Sequence, residues 1–298
     1  MRQFATQSLQ KLPANATLST ASMNLRGTAK LVLPRAVTNQ IRVAAYRWTL
    51  RRFRPYQVQR SWAGYQFNLW IPDPTAKSWY DRDAPQIPAE ISFLAQHRLR
   101  SGATVFDCGA HQCVIAMILA KFILPTGRVV AVEASRHNYE AAIRNCRHNA
   151  ADNVEVIHAA VSDTLDPIEL NCRVNGQVDD GSGAWGKTAV HGVTVDELVR
   201  KHGPPDVLFV DVEGFESKVL AGAADTLSRY RPDCFFEMHV GCGLEKFGGS
   251  VKSITNTLED LGYHLWMSNP ELNTFIPFSE DSPLIDARFF LIATSAAS

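Results

Sequence analysis

ATVFDCGAHQCVIAMILAKFILPTGRVVAVE, residues 103–133, sets a short apolar strand, an apolar helix and a second apolar strand one after another. The strands run continuously hydrophobic instead of alternating with polar residues, as expected of strands covered on both faces. The rhythm continues downstream. Strands are predicted at 154–160, 207–211, 234–239, 263–267 and 289–294, with helices over 136–149, 195–202, 216–230 and 251–261 between them. Strands alternating with helices imply an α/β fold, a doubly wound, largely parallel sheet. Ligands in such sheets lie beyond the carboxyl ends of the strands, where the strand order reverses. The residues closing each strand are therefore the ones to inspect.

The first strand ends in Asp107-Cys108-Gly109-Ala110. Glycine there lets backbone approach a ligand closely, and the next helix N-terminus offers free N–H donors. The second strand ends in Glu133, followed by Ala134. A carboxylate at that place can accept both hydroxyls of a ribose cis-diol. Together these signals favour an adenosine-containing cofactor, NAD or S-adenosylmethionine. NAD needs a G-x-G-x-x-G loop for its pyrophosphate, and the run from Gly109 reads G-A-H-Q-C-V. A sulfonium cofactor has no phosphate to cradle, and Asp107 suits its positive end. An NAD-dependent oxidoreductase is thus disfavoured.

At this point the chain resembles the FkbM family of S-adenosylmethionine-dependent methyltransferases. The resemblance is carried in order by FDCGAHQCVIAMILA (106–120), VVAVEAS (129–135), NVEVIHAAVSD (153–163), VTVDELV (193–199), VDVEGFESKVLAGA (210–223) and FFEMHV (235–240). It covers roughly residues 64–295, and Asp211-Val-Glu-Gly-Phe-Glu216 is its most specific block. The resemblance implies a Rossmann-like class I methyltransferase sheet of seven strands, the last inserted antiparallel. It also implies methyl transfer to a hydroxyl, often on a sugar or a polyketide-like small molecule. The family's first loop is close to D-x-G-A-x-x-G, and Cys113 stands at its second glycine. If that glycine lets the loop hug the cofactor, Cys113 narrows the pocket unless its side chain turns towards the helix.

Methylating an alcohol requires removal of its proton, and a general base there contributes about 10²–10⁴-fold. Asp211 ends the fourth strand, and Glu213 follows two residues on. Glu237 and His239 occupy alternate positions at the end of the fifth strand and share a face. The expectation is that His239 or Asp211 accepts the hydroxyl proton, with Glu213 and Glu237 orienting base or substrate. Crowded carboxylates raise one another's pKa unless a cation sits between them, so the same constellation also suits a divalent metal with oxygen ligands. Glu216, in the first turn of a helix, is read as complementing the helix dipole. Ser162 and Asp163 are placed to reach the adenine amino group, and His111 and Gln112 the methionine carboxylate. Trp79, Tyr80 and Glu90 resemble the family's pre-core region, and the resemblance implies a lid there over the acceptor. The Gly-rich loop 174–187, containing Trp185, is a candidate cover or a plain surface loop.

The 298 residues carry 46% hydrophobic and 20% charged side chains and form no apolar run long enough for a membrane span. Thirty Lys+Arg balance thirty Asp+Glu, but residues 1–72 hold eleven cations and no acid. The remainder is therefore at 19 − 30 = −11. Six scattered cysteines without a C-x-x-C pair read as free thiols in a reducing compartment, the cytoplasm. Residues 1–30, rich in Ser, Thr and Ala, lack a secretory h-region and fit a mitochondrial transit peptide if the source is eukaryotic. Between Ala36 and Arg54 a helix is predicted, with Val37, Ile41, Ala44, Ala45, Trp48 and Phe53 on one stripe among arginines. Residues 36–60 can pack as a solvated basic helix on the body, lie on an anionic membrane, or track a polyanion. Residues 64–80 read as a hairpin turning at Pro72-Asp73-Pro74, followed by a helix from Ala89 to Arg100. The resulting division is a basic extension (1–60), a flap and lead-in helix (61–102) and the cofactor-binding domain (103–298). An interaction module that binds the cofactor without catalysis is the non-enzymatic alternative.

Overall fold

The computed structural model describes residues 35–171, 178 and 187–295. The predicted features in residues 1–30 and most of the 174–187 loop, Trp185 included, lie outside the described residues.

The chain opens with α1 (Arg35–Arg52), then a hairpin of β1 (Tyr56–Trp62) and β2 (Tyr65–Ile71), and α2 (Pro74–Tyr80) and α3 (Ala89–Leu94). The alternating region supplies β3 (Thr104–Cys108), α4 (Val114–Phe122), β4 (Arg128–Glu133), α5 (Arg136–His148) and β5 (Val154–His158). Short strands β6 (Ala160–Val161), β7 (Ile168–Asn171), β8 (Lys187–Val190) and β9 (Gly192–Val193) lead to α6 (Val195–His202). Then come β10 (Val207–Val210), α7 (Glu216–Ala221), α8 (Ala224–Arg229) and β11 (Asp233–Met238). The chain closes with α9 (Val251–Asp260), β12 (Tyr263–Asn269), β13 (Thr274–Pro277) and β14 (Phe289–Ser295).

The main sheet has the order β13-β12-β14-β11-β10-β3-β4-β5. All seven expected strands are present, and β14 is antiparallel to both β11 and β12. An eighth strand was not foreseen: β13 folds back antiparallel on β12 and adds an edge. The sheet is buried on both faces because successive strand residues enter opposite cores. Val105, Val129, Ala131, Val207 and Phe209 join the α4/α5 side. Phe106, Val130, Val132, Leu208 and Val210 join the other side, packed with Leu198, Val219 and Ile254. Strand order reverses at β3, which pairs with β4 on one side and β10 on the other. The crevice this opens lies beyond Cys108 and Val210.

Four expected boundaries are corrected, each for a local reason. The hairpin spans 56–71, not 64–80, and turns at Ala63-Gly64, whose φ values are both positive (49° and 82°), as the tight turns matching strand twist require. The Pro-Asp-Pro signal is a helix start. Asp73 caps α2 by accepting from Thr75 N (2.7 Å) and Ala76 N (2.9 Å), and Pro74 takes the first helical position. The strand predicted over 154–160 leaves the sheet after His158, and Ala160–Val161 pairs instead with Gly192–Val193. The helix predicted over 216–230 breaks at Gly222, where an added Cβ would stand 2.1 Å from the Ser162 carbonyl oxygen. In addition, α3 stops at Leu94, and the turn after it brings Arg98 N to Asp233 Oδ2 (3.1 Å).

The hairpin shares the α4/α5 core through Phe67, Leu69 and Ile71. It is tied to α5 by asparagines acting as a false strand edge: Trp70 N donates to Asn145 Oδ1 and Asn68 N to Asn149 Oδ1, each at 2.7 Å. This docking carries α2 and its aromatic residues over the sheet's carboxyl edge.

Candidate active site

A cavity of about 300 Å³ opens at that edge, lined from the ends of β3, β4, β10 and β11 and roofed by the N-terminal segment. Of the predicted site residues it gathers Gly109, His111, Glu133, Ala134, Asp211, Glu213 and Glu237 on its wall. Ala110 is buried just behind the loop. Ser162 and Asp163 do not reach the wall. Ser162 Oγ donates to Asp163 Oδ1 (3.0 Å), and Lys218 Nζ holds Asp163 Oδ2 at 2.8 Å. Ala159, Ala160 and Val161 line that side instead. Gln112 also turns away, donating to Asp73 and Asn138 inside the fold.

One half of the cavity has the features of a nucleoside site. Glu133 is 5% exposed, and its two oxygens accept from His111 N (2.8 Å) and Ser135 N (2.6 Å). The Asn138 side chain hydrogen-bonds the same carboxylate. Burial pushes its pKa up to about 8 against the pull of those backbone donors. Asp107, beneath the loop, is 2% exposed, and its Oδ2 has no hydrogen-bond partner. Burial lifts its pKa to about 7. Asp107 is absent from the cavity wall, so the structure does not bring this oxygen to the ligand space. His111 is neutral, since burial lowers its pKa to about 4. It meets Tyr80 Oη at 2.8 Å through Nδ1 and packs 5.0 Å from the Trp79 ring.

Cys113 has φ 61° and ψ 23°, the left-handed conformation that the family's glycine adopts without strain. Its side chain is fully buried in the α4/α5 core beside Cys146 and is absent from the cavity wall. The thiol therefore does not narrow the cofactor space. Cys113→Gly should change S-adenosylhomocysteine affinity less than about threefold by calorimetry. A shift of tenfold or more would put the side chain back in the pocket.

The other half is the carboxylate cluster. His239 Nδ1 lies 2.6 Å from Glu216 Oε1 and 3.0 Å from the Glu237 carbonyl oxygen. A carbonyl only accepts, so Nδ1 carries the proton. Nε2 then faces Asp211 Oδ1 (3.7 Å) and Glu213 Oε2 (3.6 Å) with no hydrogen-bond partner. Burial opposes charge on His239, but the Glu216 hydrogen bond and the Glu213 charge hold its pKa above the ordinary value. Glu216 is fully buried and also accepts from Gly214 N (2.9 Å). Its role is thus to fix the imidazole, which the dipole reading missed. His239 is itself 1% exposed and does not line the cavity. Asp211, Glu213 and Glu237, and not His239, form the cavity wall on this side.

Arg288, ahead of β14, supplies the cation between the acids. Its Nε donates to Glu237 Oε1. Burial works against ionisation of Glu237, yet Arg288 holds its pKa below the ordinary value. Burial and the charges of Glu237 and Glu213 push Asp211 well above the usual carboxylate range. Asp211 therefore holds a proton more tightly than an ordinary carboxylate does. Arg288, Arg82, Trp62 and Phe215 also line the wall. Phe215 belongs to the Asp211–Glu216 block, whereas no motif marks Arg288, Arg82 and Trp62, which come from segments brought in by the hairpin and the last crossover. Asp211, Glu237 and His239 place ligand-capable atoms within 4.8 Å of one another.

The chain matches the Methyltransferase FkbM domain over residues 107–265, just over half its length. It belongs to the FkbM methyltransferase family. The two cofactor readings are thereby decided for S-adenosylmethionine, and Glu133 is the buried carboxylate on the cavity wall whose chemistry suits a ribose. Solved structures similar to this FkbM-family chain include a methyltransferase FkbM from Methylobacillus flagellatus KT, at 15% identity and TM-score 0.44. That alignment covers 64% of this chain and 43% of the other, so it spans less than half of that protein. A SAM-dependent O-methyltransferase from Thermotoga maritima aligns at 16% identity and TM-score 0.42, covering 82% and 78%. Fibrillarin from Aeropyrum pernix, crystallised with S-adenosyl-L-methionine, aligns at 14% and 0.40, covering 83% and 86%. None of the curated proteins matches this chain in sequence. Among the described residues, no helix is long and apolar enough to cross a membrane.

Proposed function

We propose that this FkbM-family protein transfers the methyl group of S-adenosylmethionine to a hydroxyl of a small molecule or sugar. The observation that carries the reading is the two-sided cavity: Glu133 on one wall, and Asp211, Glu213 and Glu237 on the other, under the rings of Trp62, Trp79 and Tyr80. Bound cofactor supplies an activated methyl on a cationic sulfur. The chain's own residues hold and desolvate the reactants, an effect worth up to about 7–11 kcal/mol in near-attack geometry. Asp211 accepts the hydroxyl proton, and the Glu216–His239 pair behind it stabilises the charge arrangement that lets it do so. Aromatic faces suit the C–H faces of a sugar ring, and the carboxylates suit its hydroxyls.

Cofactor affinity should depend on pH through Glu133. Its pKa of about 8 keeps it protonated in the free protein at neutral pH. Ribose hydroxyls donating to it favour the ionised form, so binding releases a proton and tightens as pH rises towards 8. Calorimetry should find S-adenosylhomocysteine bound at least tenfold more tightly at pH 8 than at pH 6. Glu133→Gln should bind it more weakly and without that slope. A pH-independent wild-type affinity would remove Glu133 from the ribose. Methyl-labelled cofactor offered with paired hydroxyl and deoxy acceptors tests the reaction, and label found only on amines would sink the O-transfer reading.

A second reading places a divalent cation between Asp211, Glu237 and His239, favoured by the buried, unpartnered His239 Nε2. Arg288 already neutralises Glu237, which favours the metal-free version. Loss of activity on chelation, with recovery on adding Mg²⁺ or Mn²⁺, decides for the metal.

A further inference from the structure

We infer that α1 is an interfacial helix that seats the enzyme on an anionic lipid surface. Ile41 and Trp48, seven residues apart and so nearly aligned on a helix, are 55% and 56% exposed, and Ala44 between them is exposed as well. A helix in a folded domain normally turns such a stripe inward. Here Ile41, Ala44 and Trp48 face outward while Ala45 is half-buried and Phe53 packs against the core, and Arg47, Arg51 and Arg52 are exposed on and beside the outward residues. The Arg52 guanidinium lies 4.1 Å from the Trp48 ring centroid, pairing cation and aromatic at one end of the stripe. Charge complementarity selects the occupant. Residues 1–72 carry eleven cations and no acid, whereas residues 73–298 carry a surplus of eleven acids. An anionic surface attracts the first part and repels the second, which orients the molecule with α1 down. A phosphate-tracking helix needs the arginines but has no use for the Ile41–Trp48 stripe. A lipid interface uses both, as aromatic and aliphatic side chains sink below the headgroups while arginines stay among them.

The test uses the full chain in co-sedimentation with vesicles of phosphatidylcholine alone or with about a third phosphatidylglycerol. Binding should be strong only to the anionic vesicles and should fall in high salt. Each of Arg47→Gln, Arg51→Gln and Arg52→Gln should weaken it about fivefold. The double variant Ile41→Gln/Trp48→Gln should weaken it at least tenfold, with S-adenosylhomocysteine affinity unchanged. Brominated lipid should quench wild-type fluorescence, and Trp48→Phe should remove most of that quenching while preserving binding. Equal binding to neutral and anionic vesicles would overturn the inference. So would anionic binding unchanged in the double variant, which would mark a generic polyanion site, nucleic acid included. Self-association that the double variant abolishes, without vesicle binding, would assign the stripe to a second copy instead.

Discussion

Asp211→Asn should lower kcat by about 10²–10⁴-fold, the range for removing a positioned general base, while leaving S-adenosylhomocysteine affinity within a few-fold of wild type. Asparagine keeps the shape of the side chain at the end of β10 but cannot take up a proton. The wild-type pH profile supplies the second readout. Burial and the neighbouring Glu237 and Glu213 hold the Asp211 pKa well above the ordinary carboxylate range. The base form therefore accumulates only as pH rises, and kcat/KM should climb with pH through that ionisation. Asp211→Asn should lose the rising limb. His239→Gln should keep part of the activity but shift the limb to higher pH, because the imidazole whose Nε2 stands 3.7 Å from Asp211 Oδ1 no longer offsets its charge. A merely structural histidine would change stability without moving the limb. If Asp211→Asn turned over at the wild-type rate, the proton would have to leave by another route.

The fold was readable because parallel strands buried on both faces leave uninterrupted apolar runs, and those runs are local. Val105 and Phe106 enter opposite cores, yet both are apolar, so neither topology nor partner was needed to recognise the strand. The residues closing the strands were readable for the same reason: Glu133, Asp211 and Glu237 follow apolar runs, and the cavity collects them. What was not readable depended on long-range packing. Asp73 between two prolines has the composition of a turn, and only the docked helix after it shows that it is a cap. Arg288 is 51 residues from Glu237 in sequence, and antiparallel pairing of β14 with β11 is what makes them neighbours. Glu216 follows a helix rule at its position, but its carboxylate faces His239 from a buried site. Asp163 sits where a strand-end acid should meet the cofactor, yet Lys218 holds it away from the cavity.

Gly109→Ala should be the most destabilising single-methyl change at the site. The glycine has φ 96°, and a Cβ added there would stand 1.8 Å from the Asp211 carbonyl oxygen and 2.8 Å from its carbon. Both are backbone atoms at the end of β10, so no side-chain rotation relieves the clash. The loop after β3 must move away from β10, or the residue must abandon its conformation. Backbone strain of this kind costs about 1–3 kcal/mol, and overpacking about 1–3 kcal/mol more. Urea unfolding should therefore show a loss of about 2–6 kcal/mol, together with weaker cofactor binding, since the displaced loop carries Gly109 and His111 on the cavity wall. Gly241→Ala provides the control. Its φ is also positive, at 69°, but nothing lies within 4 Å of the added Cβ. It should cost only the conformational part, about 1 kcal/mol. Equal losses for the two variants would mean that the β3 loop and β10 are not in the close contact on which the placement of Asp211 beside the cofactor loop depends.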